Sequence, residues 1–203
     1  MKEVLLLATA WTSDYWESDK EAPYPKNKYT DLTGWDDLSK RCPLPGIGRY
    51  FLEIEEGTLS NDEFEDRIFV LLNAIGFNVT QKGHTLSGEY SDGIASFDDY
   101  AVVYDCKNTS NFSQSSADMR AIAKYLEDEK RIRREKKMFP AFISKSFGQS
   151  SGGDVFYFTT NSLIYILSKK LQLGSKFTLD PIKKILENKT PLTDEIIDKE
   201  WRK

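Results

Sequence analysis

An apolar run that ends in charged side chains constrains the fold of this chain most. Residues 100–107 read Tyr-Ala-Val-Val-Tyr-Asp-Cys-Lys. Alternate side chains of a strand share a face, so Asp105 and Lys107 lie on one side with Val103, while Cys106 lies on the other. An apolar strand belongs inside a sheet, and its last residues emerge at the sheet's end. The pattern predicts a carboxylate and an ammonium side by side at that end.

The elements around this strand predict a mixed α/β fold. The stretch 60–76 has a capping serine, early acids, apolar residues at helical spacing and a final glycine, which is typical of an amphipathic helix. A turn at Asp98 and Asp99 predicts a hairpin between strands 90–97 and 100–107. The other predicted elements are a strand over 77–81, a helix over 116–137, strands over 141–147 and 155–160, a helix over 162–171, and two short helices that start near Asp180 and Thr193. This order predicts a mixed β-sheet flanked by helices.

Length and composition fit one main domain. With 203 residues, of which 39% are hydrophobic, the chain can bury a real core. Residues 1–59 are rich in proline, glycine and aromatic side chains, so we expect an irregular segment that packs on the core or on a partner, followed by the main domain over 60–203. No apolar stretch is long enough for a membrane span, and the two cysteines, Cys42 and Cys106, indicate a cytoplasmic setting without a disulfide framework.

The charge balance limits how this chain could hold nucleic acid. A net charge of -4 argues against a long footprint on DNA, because such affinity comes from many contacts between basic side chains and phosphates. The one basic concentration, residues 130–137, falls in the predicted helix 116–137. It is either a solvated helix face with internal ion pairs or a patch that faces phosphate.

Three carboxylates are candidates for a metal site. Asp92 starts the strand that partners residues 100–107, so it can lie opposite Asp105, and Glu65 on the predicted first helix can flank them. Converging carboxylates suit a hard cation such as Mg²⁺, with Mn²⁺ as a substitute. Lys107 could orient water or stabilise charge on a phosphate, and it could act as a base only with a strongly lowered pKa. The single histidine, His84, lies in a polar loop and is expected to face solvent.

These residues resemble a known nuclease motif. Asp92, followed by Asp105-Cys106-Lys107 at the end of an apolar strand, resembles the PD-(D/E)XK motif, with Ser91 in place of proline. The stretch 91–133 is similar to the cleavage domains of FokI and its relatives, and the resemblance runs from about residue 60 to about residue 160. It implies a restriction-endonuclease-like core and Mg²⁺-dependent DNA cleavage by Asp92, Asp105 and Lys107, with Glu65 as a further metal ligand.

The resemblance also bears on partners. In FokI-type domains, the helix after the motif pairs two cleavage domains. Aligned on Tyr125, this chain has Arg120 and Lys124 there, and like charges repel across a two-fold axis. We therefore expect weak or no homodimer through helix 116–137. No base-reading module is evident, so a separate large subunit is expected to recognise the double-stranded DNA.

The sequence leaves three functions open. The favoured one is an endonuclease, as the cleavage domain or small subunit of a type IIS-like restriction system. A repair or transposon-associated nuclease would use the same chemistry on another DNA structure. A catalytically inactive protein with a nuclease fold could instead act as a binding or assembly module.

Overall fold

The computed structural model describes residues 51, 54, 59–86, 89–133, 136–148 and 154–202. Most of the predicted N-terminal segment, 1–59, lies outside the described residues, so the boundary at residue 60 stays a prediction. Phe51 and Ile54 are completely buried in the main core. In the described part of the chain, no helix combines the length and apolar character needed to cross a membrane.

The described residues form one mixed sheet with helices on both faces. Its strands are β1 (Asn78–Gln81), β2 (Gly93–Phe97), β3 (Tyr100–Lys107), β4 (Lys137–Ser144) and β5 (Phe156–Thr159), paired in that order. The pairs β1–β2 and β2–β3 are antiparallel, whereas β3–β4 and β4–β5 are parallel. The helices are α1 (Asn61–Ile75), α2 (Ser116–Ile132), α3 (Thr160–Leu173), α4 (Asp180–Glu187) and α5 (Asp194–Glu200). The predicted α/β class and mixed sheet are confirmed.

The first helix forms as its sequence pattern predicts. Ser60 accepts a hydrogen bond from the backbone of Glu63, whose side chain bonds back to Ser60 in a complete capping box. Gly76 ends the helix at φ 126°, a conformation that favours glycine. Phe64 and Ile68 point into the core and are fully buried. This helix holds Glu65 beside the sheet.

Both faces of β3 are covered, which explains its apolar run. Val102 and Tyr104 join the main core, to which α1 and α3 contribute. Ala101 and Val103 belong to a second cluster against which Tyr125 of α2 packs. The predicted alternation along β3 is therefore confirmed, and Asp105 emerges on the face that α2 covers.

The predictions for helix 116–137 and strand 141–147 were wrong in their bounds. The helix α2 ends at Ile132, and β4 begins at Lys137 and ends at Ser144. Pairing with β3 decides the start of β4, because Lys137 lies opposite Tyr100 and its backbone N–H donates to the carbonyl of Asp99 at 2.8 Å. Lys130 and Arg131 thus lie at a helix end and Lys137 at a strand start, so the described residues of the basic run do not form one helix face.

Candidate metal and catalytic site

The β2–β3 hairpin places Asp92 beside the end of β3. Gly93 of β2 pairs with Tyr104 of β3, so Asp92 lies next to Asp105 and Cys106 of the neighbouring strand. The backbone N–H of Cys106 donates to Asp92 Oδ2 at 2.5 Å. On the other side, the Lys82 N–H donates to the carbonyl of Asp92 at 2.8 Å. Hydrogen bonds from both neighbouring segments therefore fix the position of Asp92.

Asp105 and Lys107 lie together at the end of β3, as the strand alternation predicts. The Lys107 Nζ is 3.0 Å from Asp105 Oδ2. Asp105 is only 8% exposed, whereas the Lys107 side chain is partly exposed. The same ammonium lies 5.9 Å from the ring centre of Phe112. The paired charges thus sit at the boundary between the sheet and solvent.

Sequence reasoning missed a second carboxylate beside Lys107. Asp118 Oδ1 is 3.5 Å from Lys107 Nζ. Asp118 belongs to the first turn of α2, where it forms a capping box with Ser115. A serine followed three residues later by an acid signals this cap, and the cap places the acid at the start of the helix that covers this face.

Glu65 also lies at the site, where its carboxylate contacts His84. Glu65 Oε2 is 2.8 Å from His84 Nδ1, and His84 Nε2 is 3.5 Å from Asp66 Oδ1. The hydrogen bond to Glu65 raises the pKa of His84. His84 is exposed, as expected, and its ring also contacts two carboxylates of α1, which the sequence did not predict. The contact joins residues 19 positions apart, which local pattern does not reveal.

An open cleft of about 270 Å³ lies at this site. The cleft contains all four predicted site residues. Its lining consists of Asn61, Phe64, Glu65, Asp92, Asp105, Cys106, Lys107 and Asn108. The helix α1 forms one wall and the ends of β2 and β3 form the other, so the cleft is accessible from the sheet edge.

Crowded carboxylates perturb the acid–base chemistry of the cleft. Burial, then the charge of Asp105 and to a smaller extent that of Glu65, raise the pKa of Asp92 to about 8. Burial alone would lower the pKa of Lys107, but the charges of Asp105 and Asp118 outweigh it, and the pKa is raised. Lys107 is therefore an ammonium, and the low pKa that a lysine base requires is not found here.

The donor set fits a hard divalent cation. Asp92 and Asp105 are mutually repelling carboxylates, and a shared cation would relieve this repulsion. Gly83 leaves room beside them, since a Cβ there would lie 2.4 Å from Glu65 Oε2 and 3.1 Å from Asp92 Oδ1. Glu65 also belongs to a group with Asp62 and His84 whose ligand atoms lie within 4.8 Å of one another.

The comparisons with known proteins agree with this architecture. The family described as the FokI cleavage domain matches residues 37–190. The structure is similar to the crystal structure of the small subunit of the heterodimeric restriction endonuclease R.BspD6I, with a TM-score of 0.52 and 14% identity, over 75% of this chain and 92% of that one. No curated protein matches the chain in sequence. Since the family match takes in most of the sequence, including α1, the hairpin and the cleft, this chain belongs to the family of FokI cleavage domains.

Proposed function

We propose that this chain is a Mg²⁺-dependent DNA endonuclease, the cleavage subunit of a type IIS-like restriction system. One observation carries the proposal: Asp92, Asp105 and Lys107 converge on the cleft that Glu65 also lines. Family membership supports the nuclease chemistry, and the acidic, repelling ligand set supports a divalent cation. Double-stranded DNA would enter from the open side of this cleft.

The proposed metal ligands are Asp92, Asp105 and Glu65. A Mg²⁺ ion held there, or Mn²⁺ in its place, would polarise the phosphodiester and lower the pKa of a bound water. The N–H of Cys106 keeps one oxygen of Asp92 fixed, which leaves the other oxygen for the cation. Cys106 is half-buried at the cleft, and burial raises the pKa of its thiol well above the usual value, which keeps the thiol protonated.

Lys107 serves the proposed reaction as a fixed positive charge. Its ammonium lies beside a metal ligand, Asp105, and faces the cleft. At that place it can donate hydrogen bonds to a phosphate oxygen and stabilise the negative charge that develops when water attacks. The same charge can orient the attacking water. Two carboxylates, Asp105 and Asp118, lie beside this ammonium and favour its charged form.

A plasmid assay tests the function. Wild-type protein with Mg²⁺, together with its recognition subunit where one is known, is expected to nick supercoiled DNA. The Asp105→Asn variant keeps the shape of the side chain but loses a charged ligand, so we expect a rate about 10²-fold lower. Chelation of the metal should stop the wild-type reaction. Equal nicking by wild type and Asp105→Asn would rule out this site as the source of the activity.

Recognition of sequence is proposed to come from another chain. The net charge of -4 gives this protein little affinity for DNA by itself. The structural neighbour is the small subunit of a heterodimeric enzyme, which supports a similar division of labour here. In such an assembly this chain would cut one strand and a second subunit would cut the other.

The exposed face of α2 predicts weak self-association. Arg120 and Lys124 are both exposed, and Lys124 lies 3.2 Å from Glu89 in an exposed ion pair of small energetic value. We expect the isolated chain to sediment as a monomer. Arg120→Glu would place opposite charges one turn apart and should strengthen self-association. A wild-type homodimer that Arg120→Glu disrupts would contradict this proposal.

A further inference from the structure

We propose that Asp118 is a positioning residue that holds the Lys107 ammonium at the cleft. The inference rests on the proposed nuclease function, because it concerns how that site keeps its lysine in place. It assigns a role to a carboxylate that lies outside the proposed set of metal ligands. Three features support this role: the separate contacts of the two Asp118 oxygens, the fixed start of its helix, and the second carboxylate beside Lys107.

The two oxygens of Asp118 make different contacts. Its Oδ2 accepts hydrogen bonds from the backbone N–H of Ser115 at 2.8 Å and from the Ser115 hydroxyl at 2.6 Å. Its Oδ1 faces Lys107 Nζ at 3.5 Å. The capping box thus fixes one oxygen, and the other is presented to the lysine. An acid that only capped the helix would not need this second contact.

The start of α2 is a rigid support for this contact. Besides the side-chain bonds, the backbone N–H of Asp118 donates to Ser115 Oγ at 3.2 Å, and that of Met119 donates to the Ser115 carbonyl at 3.1 Å. Farther along, Ile122 is completely buried and packs with Phe142 of β4. The helix start is therefore fixed relative to the sheet, and Asp118 cannot follow a lysine that moves away.

The other partner of Lys107 has a competing task. Asp105 Oδ2 lies 3.0 Å from Lys107 Nζ, but Asp105 is also a proposed ligand of the cation. An oxygen that coordinates a cation is a weaker partner for an ammonium, because the two positive charges repel. Asp118 is not a proposed metal ligand, so a cation bound to Asp105 does not occupy its oxygens. It provides a constant negative charge that keeps Lys107 close to the cleft whether or not Asp105 is coordinated.

The catalytic test separates turnover from binding. Asp118→Asn keeps the size of the side chain and an oxygen for the Ser115 donors, but it removes the charge beside Lys107. We expect kcat for plasmid nicking to fall about 10- to 100-fold, with KM changed less than about threefold, since a misplaced catalytic group affects the reacting complex most. Asp118→Glu can restore the charge and the cap and should recover part of the rate.

A matched control removes the cap without the charge. Ser115→Ala abolishes the serine side chain of the same capping box and leaves the Asp118 carboxylate in place. It is expected to lower the melting temperature at least as much as Asp118→Asn, while kcat falls clearly less, because the charged Asp118 carboxylate keeps the backbone N–H of Ser115 as a donor. An equal loss of kcat in both variants would overturn the inference, because the effect would then follow helix stability alone.

A second measurement needs no catalysis and no metal. In metal-free protein, the melting temperature is compared for wild type, Asp118→Asn, Lys107→Met and the double variant. If the two side chains interact, Asp118→Asn should cost about 2–4 °C more in the wild-type background than in the Lys107→Met background. Additive effects would overturn the contact. Failure of the proposed function would give a different result. Wild-type protein would not nick DNA, although the coupling between Asp118 and Lys107 would persist.

Discussion

Replacing Lys107 by methionine is expected to lower the rate of DNA cleavage by about 10²–10⁴-fold, the range for loss of one positioned catalytic donor. Methionine has similar length, so the cleft keeps its packing and loses only the charge. Metal affinity should be equal or higher, because the ammonium 3.0 Å from Asp105 no longer competes for that carboxylate. Single-turnover nicking and Mg²⁺ titration by calorimetry measure the two effects separately.

Two further variants make this result specific. Lys107→Arg keeps a positive charge but changes its shape and reach, so it should retain more activity than Lys107→Met if the lysine acts through charge. If the lysine were the base, both variants would be equally inactive. Lys184→Met makes the same chemical change on the exposed face of α4, where Lys184 pairs with Glu200, and it should leave cleavage unchanged. Cleavage by Lys107→Met within tenfold of wild type would contradict the assigned role.

Local pattern was sufficient for the parts of the fold that short-range interactions decide. The helix α1 follows from its capping serine, its apolar spacing and Gly76, all within 17 residues of one another. The β2–β3 hairpin follows from two apolar strands joined at Asp98 and Asp99. Because the hairpin sets the register, it also predicts that Asp92 meets Asp105. The core of the candidate site was therefore predictable before any long-range contact was known.

Long-range contacts decided the features that sequence reasoning missed. The basic residues 130–137 have good helix propensity, but pairing of Lys137 with Tyr100 draws the end of that run into the sheet. His84 reaches Glu65 only because the β1–β2 connection folds back over α1. Asp118 reaches Lys107 only because α2 covers that face of β3. In each case the partner lies on another element, where neither spacing nor composition gives a signal.

Replacing Asp92 by asparagine is expected to have two opposite effects. The variant should bind Mg²⁺ or Mn²⁺ at least about 100-fold more weakly, because it removes a central charged ligand. The metal-free variant should nevertheless be more stable than metal-free wild type at neutral and alkaline pH. Asparagine keeps an oxygen to accept the N–H of Cys106 but cannot become a buried negative charge beside Asp105.

The pH dependence of that stabilisation follows from the pKa of Asp92. In the folded protein this pKa is raised from 3.8 to about 8, so between those values the folded state keeps a proton that the unfolded state has released. The group therefore makes wild-type stability fall as pH rises from about 4 to about 8 and leaves it constant above that. The advantage of Asp92→Asn should grow over the same window to at most about 6 kcal/mol, the equivalent of a pKa change of about four units.

Chemical denaturation at several pH values, with and without Mg²⁺, tests both effects together. Added Mg²⁺ should stabilise wild type most above pH 8, where no proton has to leave Asp92, and should not stabilise Asp92→Asn. The control Asp99→Asn changes an exposed carboxyl group in the hairpin turn, whose pKa is lowered by its contact with Lys183. It should lose no metal affinity and gain no stability. Suppose instead that metal-free Asp92→Asn is less stable than wild type at pH 8. Repulsion between Asp92 and Asp105 would then not destabilise the folded protein, and the proposal of a cation between them would be wrong.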